Sequence, residues 1–273
     1  MYIIGGFFMN DEFRIKCRKL LIFLSLKYHG DWSSIWRELT GKKDVYSVKD
    51  FEDIEEKLPC KAVTMYDLEY PDRLRHVHRP PFVLYYYGDF SLLINARKRL
   101  AVIGSREAGE YGINATKKLI SELDEDYIII SGMALGIDTT AHLSAIESGK
   151  KTVAVLGSGI DYCYPTSNQE LYEIMKKDHL VISEYPPGEE PKPSNFPYRN
   201  RIVAGLCEGL LVTDAHEKSG TSFTIDFALG MGKTVMCVPH RIDENSLCNV
   251  VIKQGAFLVE NGEDIDYLME KYF

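Results

Sequence analysis

From residue 98 onward, short aliphatic runs alternate with helix-compatible segments, and this regularity limits the fold more than any other feature of the sequence. The runs of strand length lie at 100–103, 127–130, 152–156, 180–182, 210–213, 234–238 and 257–259. The clearest helical segments between them lie at 112–123, 138–148, 168–176 and 222–231. Continuous Val, Ile and Leu strands joined by amphipathic helices are typical of parallel sheets that are covered on both faces. The sequence therefore predicts an α/β fold with an extended Rossmann-like, doubly wound and mostly parallel sheet.

The N-terminal part of the chain follows a different pattern. Apolar residues recur there with the spacing of one helical face, at Phe13, Cys17, Leu20, Leu21 and Leu24. Two further helices are predicted over 33–39 and 48–58, and Ser47 can cap the second of them. The sequence therefore predicts a small helical domain over 1–65, followed by an extended Rossmann domain over 66–273.

The charge of the chain argues, taken alone, against a polyanion as its ligand. The 32 basic and 40 acidic residues give a net charge of −8, whereas most nucleic-acid-binding proteins are basic. Residues 98–273, which form the predicted sheet domain, hold 17 basic and 26 acidic residues. Any contact with a polyanion must therefore be local.

Four loops that follow predicted strands are rich in glycine and serine. They contain Gly104, Ser105 and Arg106; Ser131 and Gly132; Gly159; and Ser219, Gly220 and Thr221. Ligands of open α/β sheets bind beyond the carboxyl ends of the strands. Glycine lets backbone N–H groups approach an anion, and helix N-termini favour negative charge. One such loop is ordinary turn chemistry, but four of them with an arginine predict a phosphate-bearing ligand.

A proline-rich stretch at 183–202 is predicted to be a long loop, since five of its residues are proline. It ends with Phe196, Arg199 and Arg201, and an aromatic ring beside two arginines suits base stacking and phosphate pairing. The alternative is that the arginines pair with glutamates of the same loop, namely Glu184, Glu189 or Glu190.

The sequence indicates neither a cofactor nor a metal. The first loop reads GSREAGEYG rather than GxGxxG, and no GxxxxGK[ST] occurs. The six cysteines form no CxxC pair, and no early apolar run is long enough to cross a membrane. We therefore expect a cytoplasmic protein without a dinucleotide cofactor, a metal ion or ATP hydrolysis.

Several multi-residue motifs together resemble the DprA/Smf family of DNA processing proteins. They are GSR at 104–106, SGMALGID at 131–138, GSGID at 157–161, SEYPPG at 183–188 and FPYRNRI at 196–202. The resemblance covers about residues 66–262. It implies single-stranded DNA binding without catalysis, protection of incoming DNA during natural transformation, and loading of the RecA recombinase. It also implies a homodimer formed through the C-terminal part of the core.

The resemblance also implies site residues and a domain plan. The N-terminal helices would be similar to a sterile-alpha-motif domain, and a C-terminal winged-helix domain is expected to be absent. The expected DNA-binding residues are Gly104, Ser105, Arg106, Ser131, Gly132, Gly159, Phe196, Arg199, Asn200, Arg201, Lys218, Ser219, Gly220 and Thr221.

A second interpretation is an enzyme, a nucleoside-monophosphate phosphoribohydrolase of the lysine-decarboxylase-like family. Residues 218–226 are similar to the PGGxGTxxE loop of that family through Gly220 and Thr221. The catalytic glutamate of the loop would fall at Thr224, which is not a carboxylate base. Asp226 lies two residues later and, on a helix, points elsewhere.

Overall fold

The computed structural model describes residues 3–4, 7–8, 11–41, 46–95, 98–216 and 219–272. At the N-terminus, strands β1 (Ile3–Ile4) and β2 (Phe7–Phe8) pair in an antiparallel hairpin. Helices α1 (Asp11–Lys27) and α2 (Trp32–Thr40) follow.

The two predicted N-terminal helices at 11–40 are confirmed, but the third one is not. The Asp31 side chain caps α2 by accepting a hydrogen bond of 2.8 Å from the Ser34 N–H. Ser47 does act as a cap, yet the helix that it begins is a single 3-10 turn at Val48–Asp50, and hydrogen-bonded turns continue to residue 57. Few apolar residues of this segment are buried, so little packing energy is available to extend a helix.

Nine strands of the described chain form one sheet. They are β3 (Lys61–Thr64), β4 (Val83–Gly88), β5 (Lys98–Gly104), β6 (Tyr127–Ser131), β7 (Lys151–Val155), β8 (Leu180–Ser183), β9 (Gly209–Asp214), β10 (Thr234–Cys237) and β11 (Phe257–Leu258). Their order is β11-β10-β9-β5-β6-β7-β8-β4-β3. The strands from β5 to β11 pair in parallel, whereas β4 is antiparallel to both β8 and β3. The predicted extended, mostly parallel α/β sheet is confirmed.

Helices cover both faces of this sheet. They are α3 (Ser91–Asn95), α4 (Glu110–Glu122), α5 (Ile137–Glu147), α6 (Gln169–Asp178), α7 (Asn195–Leu206), α8 (Thr221–Gly230), α9 (Leu247–Lys253) and α10 (Gly262–Tyr272). One face packs against α3, α7, α8 and α9, and the other against α4, α5, α10, α6 and the N-terminal helices. Along β5, Ala101 and Ile103 enter the first core while Leu100 and Val102 enter the second. The strand is therefore apolar on both sides.

The antiparallel end of the sheet includes residues that were predicted to belong to the N-terminal domain. Strand β3 lies before the predicted boundary at 65 and pairs with β4 from Lys61 opposite Tyr86 to Thr64 opposite Val83. Residues 61–64 are thus part of the sheet. We therefore propose that the helical N-terminal unit ends before Lys61.

The prediction of one long loop over 183–202 is wrong in its second half. The proline-rich segment ends at Ser194, and α7 begins at Asn195. Pro197 occupies the first turn of α7, where a backbone N–H has no helical acceptor and proline is therefore tolerated. None of the helices in the described part of the chain is long and apolar enough to cross a membrane.

The histidine on α5 is part of the core. His142 is 0% exposed, and its Nε2 and Nδ1 atoms lie 2.6 Å from the Gly132 carbonyl oxygen and 2.7 Å from the Thr152 hydroxyl. Burial lowers the pKa of His142 to about 4. A charged imidazole at this position would destabilise the folded state.

We expect His142 to make folding stability pH-dependent. Below the usual histidine pKa, the His142 imidazole is protonated in the unfolded chain, whereas in the folded protein it stays neutral down to about pH 4. The free energy of unfolding should therefore fall between pH 7 and pH 5, with about 2 kcal/mol of that loss due to this residue. Urea unfolding of wild type and His142→Gln at both pH values measures it. An equal pH dependence in the two proteins would contradict this role.

Candidate functional site

The main cavity of the described residues lies where the chain reverses its direction of winding. Strands β5 and β9 are parallel neighbours, with Leu100 opposite Gly209, yet the helices that follow them cover opposite faces of the sheet. The two loops therefore diverge beyond the carboxyl ends of the strands, where open α/β sheets bind ligands. A cavity of about 580 Å³ opens at this point.

Ten of the predicted site residues line this cavity. They are Gly104, Ser105, Arg106, Gly132, Phe196, Arg199, Asn200, Ser219, Gly220 and Thr221. The sequence motifs thus converge in space although together they span more than one hundred residues of the chain. Asp138, Tyr164, Pro193, His216 and Thr224 also line the cavity and were not among the predicted site residues.

Two of the other predicted residues serve the scaffold. The hydroxyl of Ser131 is buried and donates a hydrogen bond of 2.6 Å to the Val102 carbonyl on the neighbouring strand. Gly159 packs against the backbone of 186–189, and its N–H donates to the Glu189 carbonyl at 2.7 Å. Neither residue lines the cavity, and Lys218 lies outside the described residues.

Arg201 also lies away from the cavity, so the structure does not bring it together with the other residues predicted to bind DNA. Its side chain is 0% exposed and forms a two-pronged ion pair with Glu184, with N–O distances of 2.7 and 2.6 Å. For this arginine, the alternative of pairing with a loop glutamate is therefore confirmed. Its charge is compensated inside the protein.

Arg199 occupies the floor of the cavity. Its Nη1 donates to the Val155 carbonyl, and its Nε donates to Asn200 Oδ1 at 3.1 Å. The guanidinium faces Asp138 across Gly132, where any Cβ would collide with both side chains. Burial lowers the pKa of Arg199 and raises the pKa of Asp138, while their mutual attraction opposes both shifts. An anion in the cavity would therefore stabilise the charged form of Arg199.

Asp138 lies inside the first turn of α5. Its carboxylate accepts a long hydrogen bond of 3.4 Å from the Ala134 N–H of the preceding loop. The motif SGMALGID contains this residue, so the signal was present in the sequence. Its role opposite Arg199 depends on a contact between distant loops, which the sequence does not display.

The mouth of the cavity carries a cation and two aromatic rings. The guanidinium carbon of Arg106 lies 5.4 Å from the centre of the Phe196 ring, and the Tyr164 ring lies 5.4 Å from Phe196 on another side. Arg106 is exposed and forms no ion pair with a carboxylate of the described chain. The exposed ring of Tyr164 was missed as a site residue, although it lies only three residues beyond the GSGID motif.

The N-terminus of α8 forms one wall of the cavity. The Thr221 hydroxyl donates to the Gly104 carbonyl at 3.1 Å and ties this loop to the end of β5. The Ser219 hydroxyl is shielded from solvent and has no hydrogen-bond partner among the residues that the structure describes. A helix N-terminus with such a hydroxyl provides donors for an anion.

One glycine between these loops is required by the backbone. Gly136 precedes α5 with a φ of +74°, and a Cβ there would collide with the carbonyl groups of Ser105 and Arg106. The next residue, Ile137, donates its N–H to the Ser105 carbonyl at 3.1 Å. The position of the Arg106 loop thus depends on a residue without a side chain.

The chemistry of the cavity suits binding of a phosphate and a ring. Thr224 lines it at the position where the enzyme interpretation needs a carboxylate, and the exposed Asp226 does not line it. Within the described ranges, no three histidine, cysteine or acidic side chains are placed to hold a metal ion. The cations, the hydrogen-bond donors and the aromatic rings give this α/β protein a crevice whose chemistry suits an anion.

Comparison with known proteins identifies the family. The family model of the DNA recombination-mediator protein A matches residues 61–270. The DNA processing protein DprA of Streptococcus pneumoniae is 39% identical over 224 residues, which are 81% of this chain and 77% of that protein. This chain belongs to the DNA recombination-mediator protein A family, the DprA/Smf proteins.

Solved structures agree with this assignment. The crystal structure of DprA from Streptococcus pneumoniae matches with a TM-score of 0.77 and 32% identity, over 96% of this chain and 98% of that one. DNA processing protein A from Helicobacter pylori matches with a TM-score of 0.71 and 28% identity, over 79% of this chain and 99% of that one. That structure was determined for its single-stranded DNA binding mode.

We expect Gly136→Ala to destabilise the protein far more than Gly149→Ala. Both glycines have positive φ, but the Cβ added at Gly149 meets nothing within 4 Å. The control should cost about 1 kcal/mol for its backbone conformation alone. Collision with the Arg106 loop should raise the cost at Gly136 to at least about 3 kcal/mol. Urea unfolding measures both, and equal losses would show that the loop does not depend on this contact.

Proposed function

We propose that this protein binds single-stranded DNA in the crevice between β5 and β9, protects it, and loads RecA recombinase onto it in the cytoplasm. In this proposal the protein acts as a binding protein and catalyses no reaction. Membership of the DNA recombination-mediator protein A family supports the role. The observation that carries the binding site is Arg106, an exposed cation without an ion pair in the described chain, stacked on Phe196 at 5.4 Å.

The crevice offers separate contacts for the two parts of a nucleotide. Arg106 and the N-terminus of α8, with the Ser219 hydroxyl, would hold phosphates. Phe196 and Tyr164 would stack on unpaired bases, which every base permits through its ring face. Contacts of this kind involve the DNA backbone and the faces of the bases, so we expect little sequence preference.

The charge distribution favours this local mode of binding. The sheet domain has more acidic than basic residues, so a duplex would not be held across a broad surface. Both arginines of the cavity lie beyond the carboxyl ends of the strands. Arg199 is at the floor of the cavity and Arg106 is at its mouth. A flexible single strand can reach both.

We expect Arg106→Ala to weaken binding of oligothymidylate by about tenfold at low salt, since one phosphate contact is lost. The slope of log K against log salt should become shallower by about 0.7. The variant should also lose stimulation of RecA filament assembly, because the protein must hold the strand on which RecA assembles. Fluorescence anisotropy at several salt concentrations measures the binding.

Lys253→Ala is the control for charge. Lys253 is an exposed cation at the end of α9 and does not line the cavity. Unchanged affinity and slope in Arg106→Ala would exclude this crevice as the binding site, while an equal loss in both variants would indicate a general effect of net charge.

We also propose that two copies associate through the C-terminal edge of the sheet. Strand β11 ends the sheet there, and both of its residues are apolar and exposed, Phe257 at 37% and Leu258 at 46%. The ring of Tyr272 lies 5.5 Å from that of Phe257 and extends the apolar edge. An unpaired apolar strand edge is a natural pairing surface for a second copy.

Leu258→Asp is expected to convert the dimer into a monomer at micromolar concentration, because it places a charge in a desolvated edge. The dissociation constant should rise by at least about tenfold. Sedimentation analysis measures it. The matched control is Ile174→Asp, an exposed apolar residue on α6 toward the other end of the sheet. A dimer that persists in Leu258→Asp would rule out this edge.

A further inference from the structure

A second cleft lies where the N-terminal helices meet the core. Its volume is about 380 Å³, and it is lined by Trp32 at the start of α2, by Arg79, and by Lys192 and Tyr198 at the entry to α7. None of the motifs that identify the family supplies the first two of these residues. The cleft therefore contains residues that have no role in the function proposed above.

Three aromatic rings form a stack beside this cleft. Trp36 stacks on Trp32 at 5.4 Å with 14° between the ring planes, and Trp32 stacks on Phe82 at 5.3 Å with 20°. All three rings contact one another, since Trp36 also lies 6.5 Å from Phe82, and the 49% exposed Trp36 gives this stack a side that faces solvent. The Trp32 indole is fixed by a hydrogen bond of 2.8 Å from its Nε1–H to the Pro80 carbonyl. Such a rigid, exposed stack is a platform for an unpaired base.

A cation lies against the same stack. The guanidinium carbon of Arg79 is 5.5 Å from the Trp32 ring, and Arg79 is exposed and forms no ion pair with a described carboxylate. Arg106 on Phe196 has the same arrangement in the first cavity. The two sites thus share an arginine that lies over an aromatic ring and forms no ion pair with a carboxylate of the described chain.

The position of Arg79 is imposed by the core. Its φ is +54°, a left-handed conformation that costs energy for any residue with a side chain. Its carbonyl accepts hydrogen bonds of 3.2 and 3.0 Å from Arg201, the arginine that is buried against Glu184. The family motif therefore fixes Arg79 in an unfavourable backbone conformation, which keeps its side chain over Trp32.

The two cavities are adjacent along one segment of chain. Pro193 and Phe196 line the first cavity, whereas Lys192 and Asn195 line the second. The start of α7 is therefore the wall between them. A strand that leaves the Phe196 ring can cross this wall and reach the Trp32 stack.

We propose that the cleft at Arg79 and Trp32, together with the adjoining Trp36 ring, is a second contact site for single-stranded DNA, occupied by nucleotides that extend beyond the Arg106 cavity. This rests on the proposed function, because it assumes that a strand is held in the first cavity. Arg79 binds a phosphate, and the exposed face of Trp36 stacks on a base. The second contact lengthens the strand that one copy of the protein holds.

The experiment uses the tryptophans of the chain as the probe. The sequence contains two tryptophans, and both belong to this stack. Oligothymidylates from about 4 to about 20 nucleotides span the range of lengths that single-strand sites hold. Those long enough to cover both cavities should quench tryptophan emission, whereas the shortest ones should bind with unchanged emission.

The variant for this site is Arg79→Asn, since asparagine tolerates the left-handed backbone while the cation is removed. It should weaken binding of the long oligothymidylates by at least about fivefold and leave the short ones unaffected, as one phosphate contact is lost. Lys253→Ala should change neither. Thermal unfolding of each variant shows that the fold is kept.

The outcomes separate this inference from the proposed function. If Arg106→Ala weakens binding but Arg79→Asn binds long strands like wild type, with unchanged tryptophan emission, the second site is refuted and the first one stands. If the unaltered protein binds no oligothymidylate of any length, both proposals fail.

Discussion

The structure depends on the divergence of two loops from adjacent parallel strands. The chain leaves β5 and β9 toward opposite faces of the sheet, so the backbone cannot close the space beyond their carboxyl ends. Each feature of the site follows from that opening. The end of β5 brings Arg106 to its rim, the start of α8 aims backbone donors into it, and α7 supplies Phe196 from the side.

Much of the fold could be predicted from the sequence because the central strands are buried on both faces. Their Val, Ile and Leu runs stand out from every other segment, and all seven runs identified from residue 98 onward are strands. Prediction failed where one residue type is compatible with two kinds of local structure. Proline indicated a loop up to residue 202, although a proline in the first turn of α7 leaves the helix intact.

The site was predictable at the level of loops and less so at the level of side chains. Glycine and serine mark loops that approach an anion, but the same residue types also let elements pack closely. Gly159 and Ser131 serve packing, and Arg201 neutralises a buried glutamate. Asp138 and Tyr164 were not predicted, because their positions at the cavity arise from neighbours that are distant in the chain. Such pairings need three-dimensional information.

The buried pair of Arg201 and Glu184 has a consequence for how the protein can release its ligand. Dissolved ions do not reach a pair with side chains 0% and 4% exposed, so its strength is nearly independent of ionic strength. Arg106 and Arg79 are exposed, so the phosphate contacts proposed for them would be weakened by salt. In the proposed complex, a rise in ionic strength would therefore detach the bound strand while the scaffold that presents these two cations keeps its shape. Release and refilling of the protein would then require no unfolding step.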